Sequence, residues 1–228
     1  TMKLSRFLTL DNTETFLNSE VQQTYHSQTG AVEEALKKYA IPCKIAEVAK
    51  TGTVRILDMF FGIGYNSAMA IDVALESNPD CKIEIVAVEN DPEIIKKILE
   101  VKPPIKSYTL YKELVRGNEI KENQKFIYEA NNIKITLFVD DAQKAAKKLP
   151  EKYFDAIFYD PFSPKAQPDM WTVELFKEMY RVMKESGILA TYSCARIIRD
   201  NLSKADLVYD DGPIIGRRGP GTIATKWI

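Results

Sequence analysis

The chain has 228 residues, 45% hydrophobic and 28% charged, and carries a net charge of −1. That length and composition suit one folded domain with a substantial core. They argue against wholesale wrapping of nucleic acid while leaving room for a local basic patch. Cys43, Cys81 and Cys194 stand apart with no CxxC spacing, which fits a reducing cytoplasm better than a disulfide framework or a zinc site. No apolar run approaches the ~20 residues of a membrane span, and Thr1 ahead of Met2 reads as an expression remnant.

In chain order, residues 31–40 place Ala31, Ala35, Leu36 and Tyr39 on one helical face. Residues 54–59 read as a buried strand, and Gly62-Ile63-Gly64 turns into a helix carrying Ala68, Ile71, Ala74 and Leu75 at helical spacing. A second strand over 82–89 is followed by Asp91-Pro92-Glu93, a helix start with proline in its first turn. Residues 102–125 form a lysine-rich interruption with a helix around 108–116, either a solvated excursion or a rim for a polyanionic partner. Strands over 133–139, 154–159 and 188–192 then alternate with helices over 142–149, 172–184 and 195–204, and short strands near 206–209 and 222–227 close the chain. Strand–helix alternation predicts an α/β fold: a parallel sheet with helices on both faces and right-handed crossovers.

Such sheets bind ligands at the C-terminal ends of their strands, and there the sequence puts acids: Asp58, Glu89, Asp141 and Asp160. The glycines at 62 and 64 let the backbone approach a ligand. Glu89 is placed to accept from ribose hydroxyls, and Asp141-Ala142 from an adenine amino group. Four carboxylates and no GxxxxGK[ST] sequence disfavour a nucleoside triphosphate. S-adenosylmethionine fits better, being cationic, free of phosphate and rich in donors. The run Asp58-Met59-Phe60-Phe61-Gly62-Ile63-Gly64-Tyr65-Asn66 resembles the first motif of the class I S-adenosylmethionine-dependent methyltransferases, with Phe60 in place of the first glycine. The resemblance implies a Rossmann-like, mostly parallel seven-stranded sheet. It also implies one methyltransferase domain over 2–228, with an N-terminal helical extension (2–50) and an insertion (102–125).

The substrate half centres on Asp160-Pro161-Phe162. A carboxylate at a strand mouth, a rigid proline and an aromatic ring can hold an amino group, with the aspartate and a proline-region carbonyl taking its hydrogens. An alkylamine of pKa ~10 must lose a proton before its lone pair can attack a methyl carbon. Asp160 can align that lone pair and stabilise the charge growing on nitrogen. The longer run from Asp160 to Thr172, containing Pro168-Asp169-Met170-Trp171, is similar to the MnmC-type tRNA methyltransferases, as are Tyr25-His26-Ser27-Gln28-Thr29-Gly30-Ala31-Val32-Glu33-Glu34 and the closing Gly216-Arg217-Arg218. That resemblance implies methylation of the primary amine of 5-aminomethyl(-2-thio)uridine at the tRNA wobble position. It assigns Asp160 to the amine, with Pro161 and Phe162 positioning it. Asp58, Phe60, Gly62, Gly64, Asn66, Glu89, Asp141 and Ala142 surround the cofactor, with Tyr25 and Gln28 at its methionine end. In many bacteria this enzyme is fused to a flavin oxidase. The present length has no room for one, so a stand-alone enzyme is expected, with a separate enzyme supplying the amine.

The anticodon loop of tRNA is the expected partner, with Arg196, Arg199, Arg217 and Arg218 as phosphate contacts and Lys226 nearby. No metal and no membrane are expected. His26, the single histidine, reads as structural, and Met170 and Trp171 as packing. Three alternatives remain at this stage. One is an adenine- or cytosine-amino methyltransferase, the second a small-amine methyl- or aminopropyltransferase, and the third a binding scaffold without catalysis.

Overall fold

The structure, a computed structural model, describes residues 4–26, 30–216 and 219–226. Three short strands, β1 (Leu4–Leu8), β2 (Glu14–Asn18) and β3 (Gln23–Thr24), form a small antiparallel sheet. Helix α1 (Ala31–Glu34) continues into a π-helix over Ala35–Ala40, and α2 (Ile45–Ala49) follows. The main alternation is β4 (Thr53–Met59), α3 (Tyr65–Ser77), β5 (Lys82–Glu89), α4 (Pro92–Lys96), α5 (Tyr108–Val115), β6 (Gln124–Ala130), β7 (Ile133–Val139), α6 (Ala142–Lys148), β8 (Phe154–Tyr159), α7 (Val173–Val182), β9 (Met183–Thr191), α8 (Arg196–Lys204), β10 (Val208–Asp211) and β11 (Thr222–Thr225).

The large sheet has the order β10-β11-β9-β8-β4-β5-β7-β6. Its five central strands are parallel, and β6, β10 and β11 pair antiparallel at the edges. The α/β reading holds, with eight strands rather than seven among the described residues. The chain leaves β4 towards β5 and β7 on one side and returns to β8 and β9 on the other. The cleft between β4 and β8 is therefore the topological switch point, where this architecture binds ligands.

Burial explains the layers. Val54, Ile56, Ile85 and Ala156 face one cluster with the residues of α1 to α5, and Leu57, Met59, Ile157 and Leu189 face another with α6 to α8. Strands covered on both faces read as near-continuous apolar runs, which is why β4, β5 and β8 were plain in the sequence. Asp91 caps α4 through the Glu93 amide at 2.9 Å, with proline in the first turn as expected. Helix α7 stops at Val182, short of the expected 184, because Met183 already pairs with Phe154 in β9.

Two expectations change. The extension before residue 50 is not purely helical: it begins with β1 to β3, whose sequences show no clean alternation of apolar and polar residues although β2 buries Thr15, Phe16 and Asn18. Asp11, in the turn between β1 and β2, accepts from Val32 N at 3.2 Å and so caps α1 from a distance. The 102–125 segment is not a solvated excursion, and it does not line the binding cavity. Ile105, Tyr108, Tyr111, Leu114, Val115 and Ile120 are buried, while Lys102, Lys106, Lys121 and Lys125 point outward. Asp72 of α3 caps it through Lys106 N and Ser107 N at 2.7 and 2.8 Å. Tyr108 donates to the Ile63 carbonyl and Tyr111 to Ser67, both at 2.7 Å, so the segment braces the glycine loop. Replacing Tyr111 by Phe should cost about 1 kcal/mol, a fall of about 2–4 °C in melting temperature for a chain of this size. An unchanged melting point would show that this brace carries no stability.

Candidate active site at the switch point

A cavity of about 740 Å³ opens where β4, β5, β8 and β9 end. Its wall is completed by the segment 18–26, Glu34 and Gly216. Glu20, Glu34, Glu89 and Asp160 line it, with no lysine or arginine among the described lining residues. A cavity of that charge suits a cationic, phosphate-free ligand.

The loop after β4 bends through left-handed backbone at Phe60 (φ 66°), Gly62 (57°) and Gly64 (82°). Positive φ is ordinary for glycine and a strained conformation for a bulky residue. A side chain at Gly64 would also meet the Phe61 ring at 2.5 Å. Phe60 keeps the backbone shape that glycine would supply and adds a ring to the cavity wall, packed edge-on against Tyr159 at 5.0 Å.

Glu89 lines the cavity but is partly engaged, accepting from Gly62 N at 2.8 Å and Asp91 N at 2.9 Å. Burial raises its carboxyl to about 7, against those amides. Asp58 is fully buried behind the loop rather than on the cavity wall, with Ser67 beside its carboxyl. Burial raises it to about 8, opposed by nearby Ser67 and reinforced by Asp160 and Glu89. Asp141 and Ala142 line a recess of about 20 Å³ that shares Phe60, Glu89, Asn90 and Gln167 with the main cavity. Asp141 also caps α6 through Lys144 N at 3.0 Å. Tyr25 lines the cavity, donates to Asp91 at 2.9 Å and lies edge-on to Phe162 at 4.9 Å. Gln28 lies outside the described residues.

Asp160, half-buried just past β8, accepts from Asn66 Nδ2 at 2.9 Å. Asn66 therefore orients the Asp160 carboxylate and does not itself line the cavity. Burial, then the charge of Glu34, raises Asp160 to about 6, against Tyr39, Asn66 and Lys38. The proline-region carbonyls already have donors: Tyr192 donates to Pro161 O at 3.0 Å and Trp171 Nε1 to Phe162 O at 2.9 Å. Trp171 is buried as packing, and it also holds this loop. Gln23 clasps the loop from β3: its Nε2 donates to Ser163 Oγ at 2.6 Å, and Ser163 N donates back to its Oε1 at 2.9 Å. Gln23 carried no signal in the sequence, Tyr39 read as a core position of its helix, and Glu34 and Tyr192 carried no role of their own. Glu34 and Ser163 lay inside the matched segments, but nothing in their spacing marked them.

His26 stacks on Tyr65 at 4.8 Å and is pushed down to about 4 by burial. Its Nε2 has no hydrogen-bond partner among the described residues, while the buried Tyr39 hydroxyl is directed at Asp160. A wall carrying Glu20, Glu34, Glu89 and Asp160 is an arrangement that a cation can satisfy. The residues therefore fit S-adenosylmethionine, with Glu89 on the cavity wall nearest to holding it. Two expected basic contacts do not stand free. Arg199 is committed to Thr222 at 3.0 Å, Asp211 at 2.6 Å and the Gly221 carbonyl at 3.2 Å, because its guanidinium pins the terminal hairpin. Lys226 is buried over Tyr180 and pairs with Glu185. Arg196 is 95% exposed, and Arg217 and Arg218 lie outside the described residues.

Asp58 and Glu89 have raised pKa values, so both are substantially protonated at pH 7 without ligand. A cation favours their ionised forms. Binding of S-adenosylmethionine should release protons, and affinity should rise with pH between about 6 and 8, by up to about tenfold per unit for each proton released. Calorimetry in buffers of different ionisation enthalpy checks this, and a buffer-independent heat would refute the linkage.

Known proteins agree with this crevice. Residues 107–227, just over half of the chain, match the model of a family described as S-adenosyl-L-methionine-dependent methyltransferase. An uncharacterized protein of Methanocaldococcus jannaschii is 32% identical over 221 residues, 96% of this chain and 58% of that protein. The tRNA 5-methylaminomethyl-2-thiouridine biosynthesis bifunctional protein MnmC of Leptospira interrogans is 27% identical over 173 residues, 72% of this chain and 26% of that protein. The chain thus spans little more than half of the first relative and about a quarter of the second. The crystal structure of MNMC2 from Aquifex aeolicus superposes with a TM-score of 0.85 at 29% identity, covering 99% of this chain and 71% of that one. A probable spermidine synthase from Corynebacterium glutamicum, with a TM-score of 0.50, 17% identity and coverage of 98% and 75%, shares the fold alone. No helix among the described residues is long and apolar enough to cross a membrane, and none of their His, Cys, Asp and Glu side chains cluster as a metal site. The chain belongs to the S-adenosyl-L-methionine-dependent methyltransferases, is of the MnmC type, and takes S-adenosyl-L-methionine as its cofactor.

Proposed function

We propose that this chain methylates the primary amine of 5-aminomethyl(-2-thio)uridine at the wobble position of tRNA. The observation that carries the proposal is Asp160, held by Asn66 on the wall of an acidic cavity at the switch point that Tyr25 and Phe162 also line. Similarity to proteins named for 5-methylaminomethyl-2-thiouridine biosynthesis supports the choice of amine.

The bound cofactor supplies an electrophilic methyl group, and the residues of this chain do the rest. The substrate amine arrives mostly as ammonium, its ordinary pKa being ~10. Asp160, raised to about 6, is still mainly ionised at pH 7 and accepts an N–H hydrogen bond from it. That bond fixes the direction of the nitrogen lone pair, and Asn66 fixes the carboxylate. Loss of the ammonium proton to water frees the lone pair. As the new N–C bond forms, positive charge returns to nitrogen, where Asp160 stabilises it. Tyr192 and Trp171 hold the Asp160–Phe162 corner rigid from beneath, and Gln23 holds the next residue from above. The wobble base lies in a single-stranded loop, so turning it outward costs less than opening a duplex. Exposed Arg196 and Lys165 offer phosphate contacts. Another enzyme would supply the aminomethyl precursor, and the cytoplasm is where tRNA and cofactor meet.

The test is nucleoside mass spectrometry after incubation with labelled cofactor and tRNA bearing 5-aminomethyluridine. Label is expected in 5-methylaminomethyluridine, and label confined to adenine or cytosine products would overturn the reading. Asp160→Ala should lower turnover by at least about 100-fold, the low end for a group acting on the transferring nitrogen, with cofactor affinity kept within a few fold. A fully active variant would move the amine site elsewhere.

A further inference from the structure

One side chain of the loop after β8 belongs to both parts of the site, and the mechanism above gives it no role. Among the described residues of 160–172, only Gln167 lines both the main cavity and the small recess beside Asp141. Its backbone is fixed: Gln167 N donates to Ser163 O at 2.9 Å, and Met170 N donates to Gln167 O at 3.1 Å. Gln143 of α6 donates to Asp169 O at 3.1 Å, which ties this loop to the helix that Asp141 caps.

The side chain is held as well. Phe162 N donates to Gln167 Oε1 at 3.2 Å. A backbone amide only donates, so that contact settles which end of the carboxamide is oxygen. Nε2 stands at the other end with two hydrogens, and no described residue accepts from it. The acids lining the recess are of the opposite kind: in their ionised forms Glu89, Asp140 and Asp141 only accept. An adenine edge carries one donor, the exocyclic amino group, beside ring nitrogens that accept. Carboxylates serve the amino group and leave a ring nitrogen unmet. Asn90, the other carboxamide lining the recess, is exposed, and no described residue bonds to its side chain. Gln167 is already ordered, so its donor loses less freedom when a ligand arrives.

We propose that Gln167 is a further cofactor-binding residue that reads the base: its Nε2 donates to a ring nitrogen of adenine while its Oε1 holds the Phe162 amide. This rests on the cofactor lying with its base toward the recess, and not on the tRNA reading.

The experiment measures, by calorimetry, binding of S-adenosylhomocysteine and of its 1-deaza, 3-deaza and 7-deaza analogues, in each of which C–H replaces one ring nitrogen. The wild type should bind one analogue about tenfold more weakly than the parent, the size of one hydrogen bond left unmade. Gln167→Glu keeps an acceptor for Phe162 N and loses the donor, whereas Gln167→Leu loses both. In each variant the ratio of parent to that analogue should fall to near one, while the other two ratios hold. The added carboxylate of Gln167→Glu acts on all four ligands alike and leaves the ratios between them unmoved. Ratios unchanged in both variants, even with a uniform loss of affinity, make Gln167 part of the wall only and overturn the proposal. A ratio moved by Asn90→Ala and not by the Gln167 variants gives the donor to Asn90 and overturns it too, as does a wild type that binds all four ligands equally. Should Gln167→Leu fail to fold, Gln167→Glu alone decides. No tRNA enters this measurement, so failure of the tRNA assay with these ratios as expected refutes the tRNA reading alone.

Discussion

The whole arrangement depends on carboxylates buried together at one mouth of the sheet. Asp58, Glu89 and Asp160 end successive strands around a single crevice, and the raised pKa of each reflects burial first and its neighbours second. Burying a carboxylate is costly unless it is hydrogen-bonded or paired. Each is handled differently. Glu89 accepts two backbone amides, Asp160 takes the amide of Asn66, and Asp58 has only Ser67 beside it. The remaining imbalance is a standing preference for a cation, which a sulfonium cofactor meets.

Holding such a crevice open needs stiff walls, and the fold supplies them from both sides. The loop after β4 is braced by Tyr108 and Tyr111 of α5. The corner after β8 is pinned by Tyr192 and Trp171 and clasped by Gln23. The short N-terminal sheet reaches over the cavity and is tied to α3 by Tyr65, which donates to the Glu14 carbonyl at 2.6 Å. Phe60 shows the same economy, since its strained backbone serves the loop while its ring closes the cavity. Strain of this kind gathers at functional sites.

Surface charge obeys a different logic. Arg199 and Lys226 looked like candidate phosphate contacts, yet each is spent inside the protein, on the terminal hairpin and on Glu185 with the Tyr180 ring. A long cationic side chain has many ways to satisfy itself, and charge alone does not say which one it takes. The lysines of the 102–125 segment likewise point outward only because its tyrosines and aliphatic residues point inward.

The sequence by itself determined the sheet, because β4, β5, β7 and β8 are apolar runs bounded by turn signals and have little choice but burial. It also determined the strand-end acids, since a strand's register fixes where its last residue stands: Glu89 ends β5, Asp160 follows β8 and Asp141 caps α6. Tertiary structure decided what those acids do. Asp58 sits behind the cavity, Asn66 bonds to Asp160, and Glu34 reaches the cavity wall from a helix well over 100 residues away in sequence. The edge strand β6 and the sheet of β1 to β3 left little signal because apolar and polar residue types do not alternate cleanly along them. Local periodicity records which way a residue faces. Only the packed chain settles which distant groups it meets, and in a low-dielectric crevice those meetings set the charge, and with it the chemistry.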